Sequence, residues 1–141
     1  MSAYDPSNIF AKILRGEIPC TRVYEDDAAL AFMDIMPRTD GHVLVIPKVA
    51  ARGILDMPPE ALGPYMQAVQ KVAAGVKAGM NAEGLTLQQF NETAGGQVVF
   101  HLHFHILPRW EGVAVRPHSG AMEKPELLEG HAKKIRAALG V

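Results

Sequence analysis

Residues 101 to 105 read His101-Leu102-His103-Phe104-His105, and Ile106 and Leu107 follow. Successive side chains on a β-strand point to opposite faces, so a spacing of two sets the three imidazoles on one side and Leu102, Phe104 and Ile106 on the other. The segment is therefore expected to be a strand with one chemical face and one core face. Imidazole has an unperturbed pKa near neutrality, so such a row offers a nucleophile, an acid and a ligand side by side.

Three readings suit a row of this kind. Neutral imidazoles two apart on a strand can share a metal ion, and three of them meet the needs of a catalytic site with an open position. The row can also be no more than a solvated face. The loop Asn91-Glu92-Thr93-Ala94-Gly95-Gly96-Gln97 just before it favours a third reading. Gly95 and Gly96 put main-chain N–H groups under little steric cover, and successive amides make an anion-binding concavity. A nucleophilic histidine attacking phosphorus divides a difficult hydrolysis into two displacements, with the developing charge met by donors such as these amides and Gln97. Loop and row together point to phosphoryl or nucleotidyl transfer.

The rest of the chain supplies a frame for that strand. Ser7 is placed to cap a short helix over residues 9–15, where Ile9, Phe10 and Ile13 share a face and Gly16 ends the turn. Residues 21–25 and 29–33 flank a polar turn and read as a hairpin, with Asp34 where the second strand leaves the sheet. Asp34 also suits an ordinary turn. Residues 42–46 are β-branched and apolar, a central strand stopped by Pro47. Leu62, Met66, Val69, Val72 and Val76 recur at steps of three and four over 59–79, predicting a helix across the sheet. Residues 85–90 read as a further strand. Beyond Pro108 an irregular excursion leads to a last helix over 126–139, with Leu127, Leu128, Ile135 and Leu139 as its apolar positions. His118 and His131 read as surface residues, and the last helix as a solvated face or part of a dimer interface.

Composition narrows the partners. With 14 Lys+Arg against 15 Asp+Glu the net charge is -1, so no bulk attraction favours nucleic-acid polymers or anionic membranes. The 141 residues suit one domain. Cys20 is the single cysteine, which fits a reducing compartment and rules out an internal disulfide or a Cys-rich zinc site. No stretch approaches the ~20 apolar residues that span a bilayer, and no basic segment leads into an apolar run near Met1. A cytoplasmic location without a membrane partner is the expectation.

His101-Leu102-His103-Phe104-His105-Ile106-Leu107 matches His-φ-His-φ-His-φ-φ, with φ apolar, and at these residues the chain resembles the histidine triad superfamily. Ile9-Phe10-Ala11-Lys12-Ile13, Gly16-Glu17-Ile18-Pro19, Leu30-Ala31-Phe32-Met33-Asp34-Ile35, Gly41-His42-Val43-Leu44-Val45-Ile46-Pro47-Lys48, Asn91-Glu92 and Gly95-Gly96-Gln97 are similar to family landmarks in family order. The resemblance implies an α+β fold with an antiparallel sheet of about five strands and two main helices, here with a C-terminal helix added, commonly paired as a homodimer. It implies one such domain over residues 1–141, with a core of about 8–110 and an extension over about 111–141.

The resemblance further implies a nucleotide hydrolase or transferase that works without a cofactor. His103 would attack the α-phosphorus of a purine nucleotide and become a transient nucleotidyl-histidine, which water hydrolyses. His105 would help protonate the leaving group and orient phosphate, and His101 and His42 would fix the tautomer and proton relay around His103. Asp34 would accept hydrogen bonds from the ribose hydroxyls. Phe10, Ile13, Phe32 and Ile35 would form the base pocket, against an alternative of plain core packing. Asn91, Gly96, Gln97 and position 98 would meet the phosphate. Purine nucleoside phosphoramidates or adenylylated amines are the favoured substrates. The alternatives are a dinucleoside polyphosphate hydrolase of the same fold and a non-catalytic nucleotide-binding or scaffold protein.

The chain also departs from the family. Positions that hold a structural zinc in some bacterial relatives are Asn8, Ala11 and Ala50 here, which argues for no bound metal. Val98 stands where related phosphoramidases commonly place a serine or threonine, so a hydroxyl contact to substrate is missing. Leu107-Pro108-Arg109 resembles the dinucleoside polyphosphate branch, whereas residues 9–19 resemble the phosphoramidase branch.

Overall fold

The computed structural model describes residues 3–117 and 120–141, so His118 lies outside the described residues. In chain order the elements are α1 (Ile9–Leu14), β1 (Arg22–Glu25), β2 (Ala29–Met33), β3 (Val43–Pro47), α2 (Pro59–Gly79), β4 (Gly84–Gln88), β5 (Phe104–Arg109) and α3 (Pro125–Leu139). The strands make one five-stranded sheet in the order β1-β2-β3-β5-β4, every neighbouring pair antiparallel. This is the expected α+β architecture. Among the described residues no helix is long and apolar enough to cross a membrane.

All residues of β2 and β3 are buried, because these inner strands are covered on both faces. Ala29, Ala31, Met33, Val43, Val45, Leu102 and Ile106 face α2 and α3. Leu30, Phe32, Leu44 and Ile46 face the other way, against Phe10 of α1. The site therefore occupies the thinly covered face, with the main core behind it.

Four details correct the sequence reading. Asn8, rather than Ser7, caps α1: its side-chain oxygen accepts the Ala11 N–H at 2.9 Å, while the Ser7 hydroxyl is held by Asp5 Oδ1 at 2.7 Å. The third strand runs on through Pro47, which pairs with Ala29 at its end. In α2, Tyr65 fills the core and donates its hydroxyl to the Val45 carbonyl at 2.8 Å, whereas Met66 is exposed. In α3, Leu128, Ala132 and Ile135 are buried and Leu127 is exposed.

The C-terminal helix packs on α2 and β1 of its own chain, and glycines make the close approach possible. A Cβ on Gly79 would sit 2.7 Å from the Lys134 carbonyl oxygen and 2.8 Å from Ile135 Cα. The segment before α3 straps the turn that follows β2. Arg116 N–H donates to the Arg38 carbonyl at 2.7 Å, Arg38 Nε to the Arg116 carbonyl at 3.1 Å, and Glu123 N–H to the Ile35 carbonyl at 2.8 Å.

Candidate active site

The ladder of β5 begins at Phe104, so His101 and His103 lie on the approach to the strand and only His105 lies within it. Pro47 accounts for the difference. Leu44 pairs with His105 and Val45 with Phe104 in the antiparallel register, so continuing it would bring Pro47, which has no N–H, opposite Leu102. Leu102 N–H instead donates to the Ala51 carbonyl at 2.8 Å. The alternation survives: Leu102, Phe104 and Ile106 pack under the helices, and the histidines face the α1 side.

Partners around the rings assign the hydrogens. His101 Nε2 lies 2.9 Å from the Pro47 carbonyl, which only accepts, so Nε2 carries hydrogen and Nδ1 accepts from the Tyr4 hydroxyl at 2.6 Å. Burial, the largest cause, pushes the His101 pKa down to about 4, so the ring is neutral at neutral pH. His103 Nδ1 lies 2.7 Å from the His101 carbonyl and by the same logic carries hydrogen. That tautomer has no hydrogen on Nε2, as a nucleophilic ring nitrogen requires. His42 Nδ1 accepts the Arg38 N–H at 3.1 Å, so His42 holds hydrogen on Nε2, 3.0 Å from His105 Nδ1. A neutral His105 then carries its own hydrogen on Nε2.

Asp34 sits behind this pair. Its Oδ2 is 3.5 Å from His42 Nε2 and its Oδ1 accepts the Met36 N–H at 2.8 Å, so it closes the turn as well as reaching the site. Donor atoms of Asp34, His42 and His105 lie within 4.8 Å of one another, the single such trio found among the described residues. The Arg38 N–H and the His42–His105 hydrogen bond already orient both rings. Of the three positions set against a relative's zinc ligands in the sequence reading, Asn8 caps α1, Ala11 is buried in the core and Ala50 is exposed.

His103 and His105 wall a mostly apolar cavity of about 220 Å³. Phe10, Ile13, Phe32, Asp34, Ile35, Gly96 and Val98 line it. Phe10 stands edge-on to His103 with ring centres 5.0 Å apart, and to Phe32 at 5.5 Å. Val98 is 67% exposed on the cavity wall.

The loop before the histidines works differently from the expectation. The amides of Gly95 and Gln97 donate to the Glu92 carbonyl and that of Gly96 to the Thr93 carbonyl, each at 3.0 Å, so they close the turn instead of forming an anion cradle. Asn91 and Gln97 stand off the cavity wall. Gln97 Oε1 accepts the Glu92 N–H at 2.7 Å and its Nε2 donates to the Arg52 and Val99 carbonyls at 2.6 and 3.1 Å. Asn91 Oδ1 accepts the Ile54 N–H at 2.8 Å. Both side chains hold the loop that presents Gly96 and Val98. Gly96 itself is favoured by a φ of +99°, while a Cβ there would meet the Phe90 ring only at ordinary contact distance.

Sequence reading missed Tyr4, Arg38 and Phe90. Phe90 stacks edge-on with His105 at 5.5 Å, and Arg38 joins the cavity wall while its side chain contacts Gln88 Oε1 at 3.4 Å. Arg38 stands four residues after Asp34 in the irregular turn between β2 and β3, and neither it nor Tyr4 carried a periodic or motif signal.

Residues 15–112 match the family model described as HIT domain. A solved structure, a HIT-like protein described as involved in cell-cycle regulation from Bartonella henselae, superposes with a TM-score of 0.91 and 55% identity, covering 97% of this chain and 99% of that one. Protein hit of Bacillus subtilis is 38% identical over 136 residues, 93% of each chain. Adenylylsulfatase HINT3 of Arabidopsis thaliana is 34% identical over 122 residues, and the match spans 82% of this chain but 62% of that longer protein. With the alternating histidines, the five-stranded sheet and these similarities together, the chain belongs to the HIT-domain, or histidine triad, family.

Proposed function

We propose that the protein is a nucleotide hydrolase or transferase acting at the α-phosphate of purine nucleoside phosphoramidates or adenylylated amines through a nucleotidyl-histidine on His103. The observation that carries this reading is the 2.7 Å hydrogen bond from His103 Nδ1 to the His101 carbonyl, which puts the hydrogen on Nδ1 and not on Nε2 in a ring that lines the apolar cavity. The base lies among Phe10, Ile13, Phe32 and Ile35, and Asp34 accepts from the ribose hydroxyls. His103 Nε2 forms a bond to the α-phosphorus as the P–N bond breaks. The departing nitrogen gains a proton from His105 Nε2–H and leaves as the amine, with His42 holding that ring in place. Water then attacks phosphorus, giving a proton back to His105 Nε2 as the N–P bond breaks, which releases the nucleoside monophosphate and restores His103 and His105.

The route uses no cofactor and no metal, since nucleophile and donors are side chains. Dinucleoside polyphosphates remain the alternative substrates, but Arg109, which carries that resemblance, contacts Thr86 Oγ1 at 3.1 Å and is not in the cavity wall. A cytoplasmic homodimer is part of the same reading, β4 offering an open sheet edge for pairing.

The test is hydrolysis of adenosine 5′-phosphoramidate, diadenosine triphosphate and adenylyl sulfate in chelator-treated buffer, with native protein and His103→Ala. Release of AMP from the phosphoramidate that survives chelation and vanishes in the variant is the expected result. A preference for diadenosine triphosphate or adenylyl sulfate reassigns the leaving group. Turnover retained by His103→Ala refutes the mechanism, and no His103-dependent turnover of any of the three leaves a binding role.

A further inference from the structure

Tyr4 reaches the histidine row from 97 positions away in the chain. Its hydroxyl lies 2.6 Å from His101 Nδ1, and its ring stands edge-on to His101 with centres 5.6 Å apart at 67°. The His101 ring is fully buried, and its other nitrogen donates to the Pro47 carbonyl at 2.9 Å. Both edges of the ring are thus engaged, one as donor and one as acceptor. The phenol is the partner that makes an acceptor at Nδ1 favourable; without it a buried lone pair would lack its hydrogen bond, and rotation of the ring or exchange of the tautomer would compete.

The next link is backbone. The carbonyl of His101 receives the Nδ1 hydrogen of His103 at 2.7 Å, so any shift of residue 101 moves the group that keeps hydrogen off His103 Nε2. The segment carrying Tyr4 is tied to α1, with the Pro6 carbonyl accepting from Arg15 Nη1 at 2.8 Å and the Asp5 carbonyl from Asn8 Nδ2 at 2.8 Å. That helix sets Phe10 against His103 with ring centres 5.0 Å apart. One stretch of chain therefore braces His101 through Tyr4 and His103 through Phe10.

We propose that Tyr4 is a positioning residue for the nucleophile: its hydroxyl locks the tautomer and tilt of His101, and through the His101 carbonyl keeps His103 in the tautomer with hydrogen on Nδ1 and none on Nε2. The kinetic part of this inference rests on the function proposed above; the tautomer part does not.

Tyr4→Phe keeps the ring and removes the donor. With adenosine 5′-phosphoramidate as substrate, kcat is expected to fall about five- to thirtyfold, the effect of one unmade buried hydrogen bond, while KM stays within about twofold. Nitrogen-15 spectra of the histidine side chains report the tautomers directly: His103 holds hydrogen on Nδ1 in the native protein, and His101 and His103 become mixed in the variant. If Tyr4 acts through His101, Tyr4→Phe adds no further loss in a His101→Ala background.

Native kcat with a native nitrogen-15 pattern in Tyr4→Phe overturns the proposal. So does a lower kcat with unchanged tautomers and a lowered Tm, which would mark an ordinary packing role. Hydrogen found on His103 Nε2 in the native protein overturns it with no variant needed. Should the native protein turn over none of the substrates, the proposed function fails, and the tautomer comparison alone still decides whether Tyr4 positions the histidines.

Discussion

Acid should destabilise this fold through His101, and by an amount that its burial sets. The ring has an ordinary pKa of 6.5 and burial lowers it to about 4 in the folded protein. Between those values the unfolded chain holds a proton on this residue and the folded chain does not, so unfolding takes up protons and stability rises with pH. The contribution is complete above pH 6.5 and is lost as pH falls through 4. A shift of this size amounts to about 3 kcal/mol over the whole window, and about 2 kcal/mol of it is gone by pH 5. Other titrating groups also act in this range, so the informative quantity is a difference between proteins. His101→Gln removes the titration at the cost of lower stability at pH 7. Urea unfolding at pH 7 and pH 5 is the assay. The native midpoint is expected to fall further than the variant's by about 1 M, taking a slope of about 2 kcal/mol per molar for a chain of this size. Equal falls in the two proteins would refute the reasoning, because a fully buried imidazole that costs nothing to protonate is not the neutral ring on which the His103 tautomer depends.

Three further outcomes follow from particular contacts. Val98→Ser restores a hydroxyl at an exposed cavity position and is expected to raise phosphoramidate kcat about tenfold or more, the worth of one hydrogen bond to a charged group; an unchanged rate would mean that no substrate atom lies in reach. Gly79→Ala drives a Cβ against the backbone of α3 and should cost about 1–3 kcal/mol, read as a lowered Tm. Gly75→Ala meets only the Leu139 side chain and should cost less, so equal effects would count against the docking described. Gln97→Ala removes three hydrogen bonds that hold the loop before the histidines. It should lower kcat and speed amide exchange at residues 92–99, whereas a rate loss with native exchange would give Gln97 a direct role at the phosphate.

What could be read from sequence and what could not divide along a physical line. A spacing of two or of three and four is local, so the two faces of the histidine segment and the bounds of α2, Pro59–Gly79, were legible. Asn8 displaced Ser7 as the cap because Asp5 took the Ser7 hydroxyl, a competition among neighbours that cap preferences do not rank. The start of β5 was hidden because Pro47, more than fifty residues earlier, ends the ladder. The loop amides turned inward because Glu92 and Gly96 adopt φ of +65° and +99°, which no periodicity announces. The side chains that line the cavity come from α1, β2 and the turn after it as well as from the motif, and the choice of which nitrogen of His101 and His42 holds hydrogen is made by Tyr4, Pro47 and Arg38, each far from the motif in the chain. A histidine row can therefore stay unchanged while its reactivity is retuned from outside it, and in this chain Tyr4, which acts through its side chain where Arg38 and Pro47 act through backbone groups, is the position where a change would show that first.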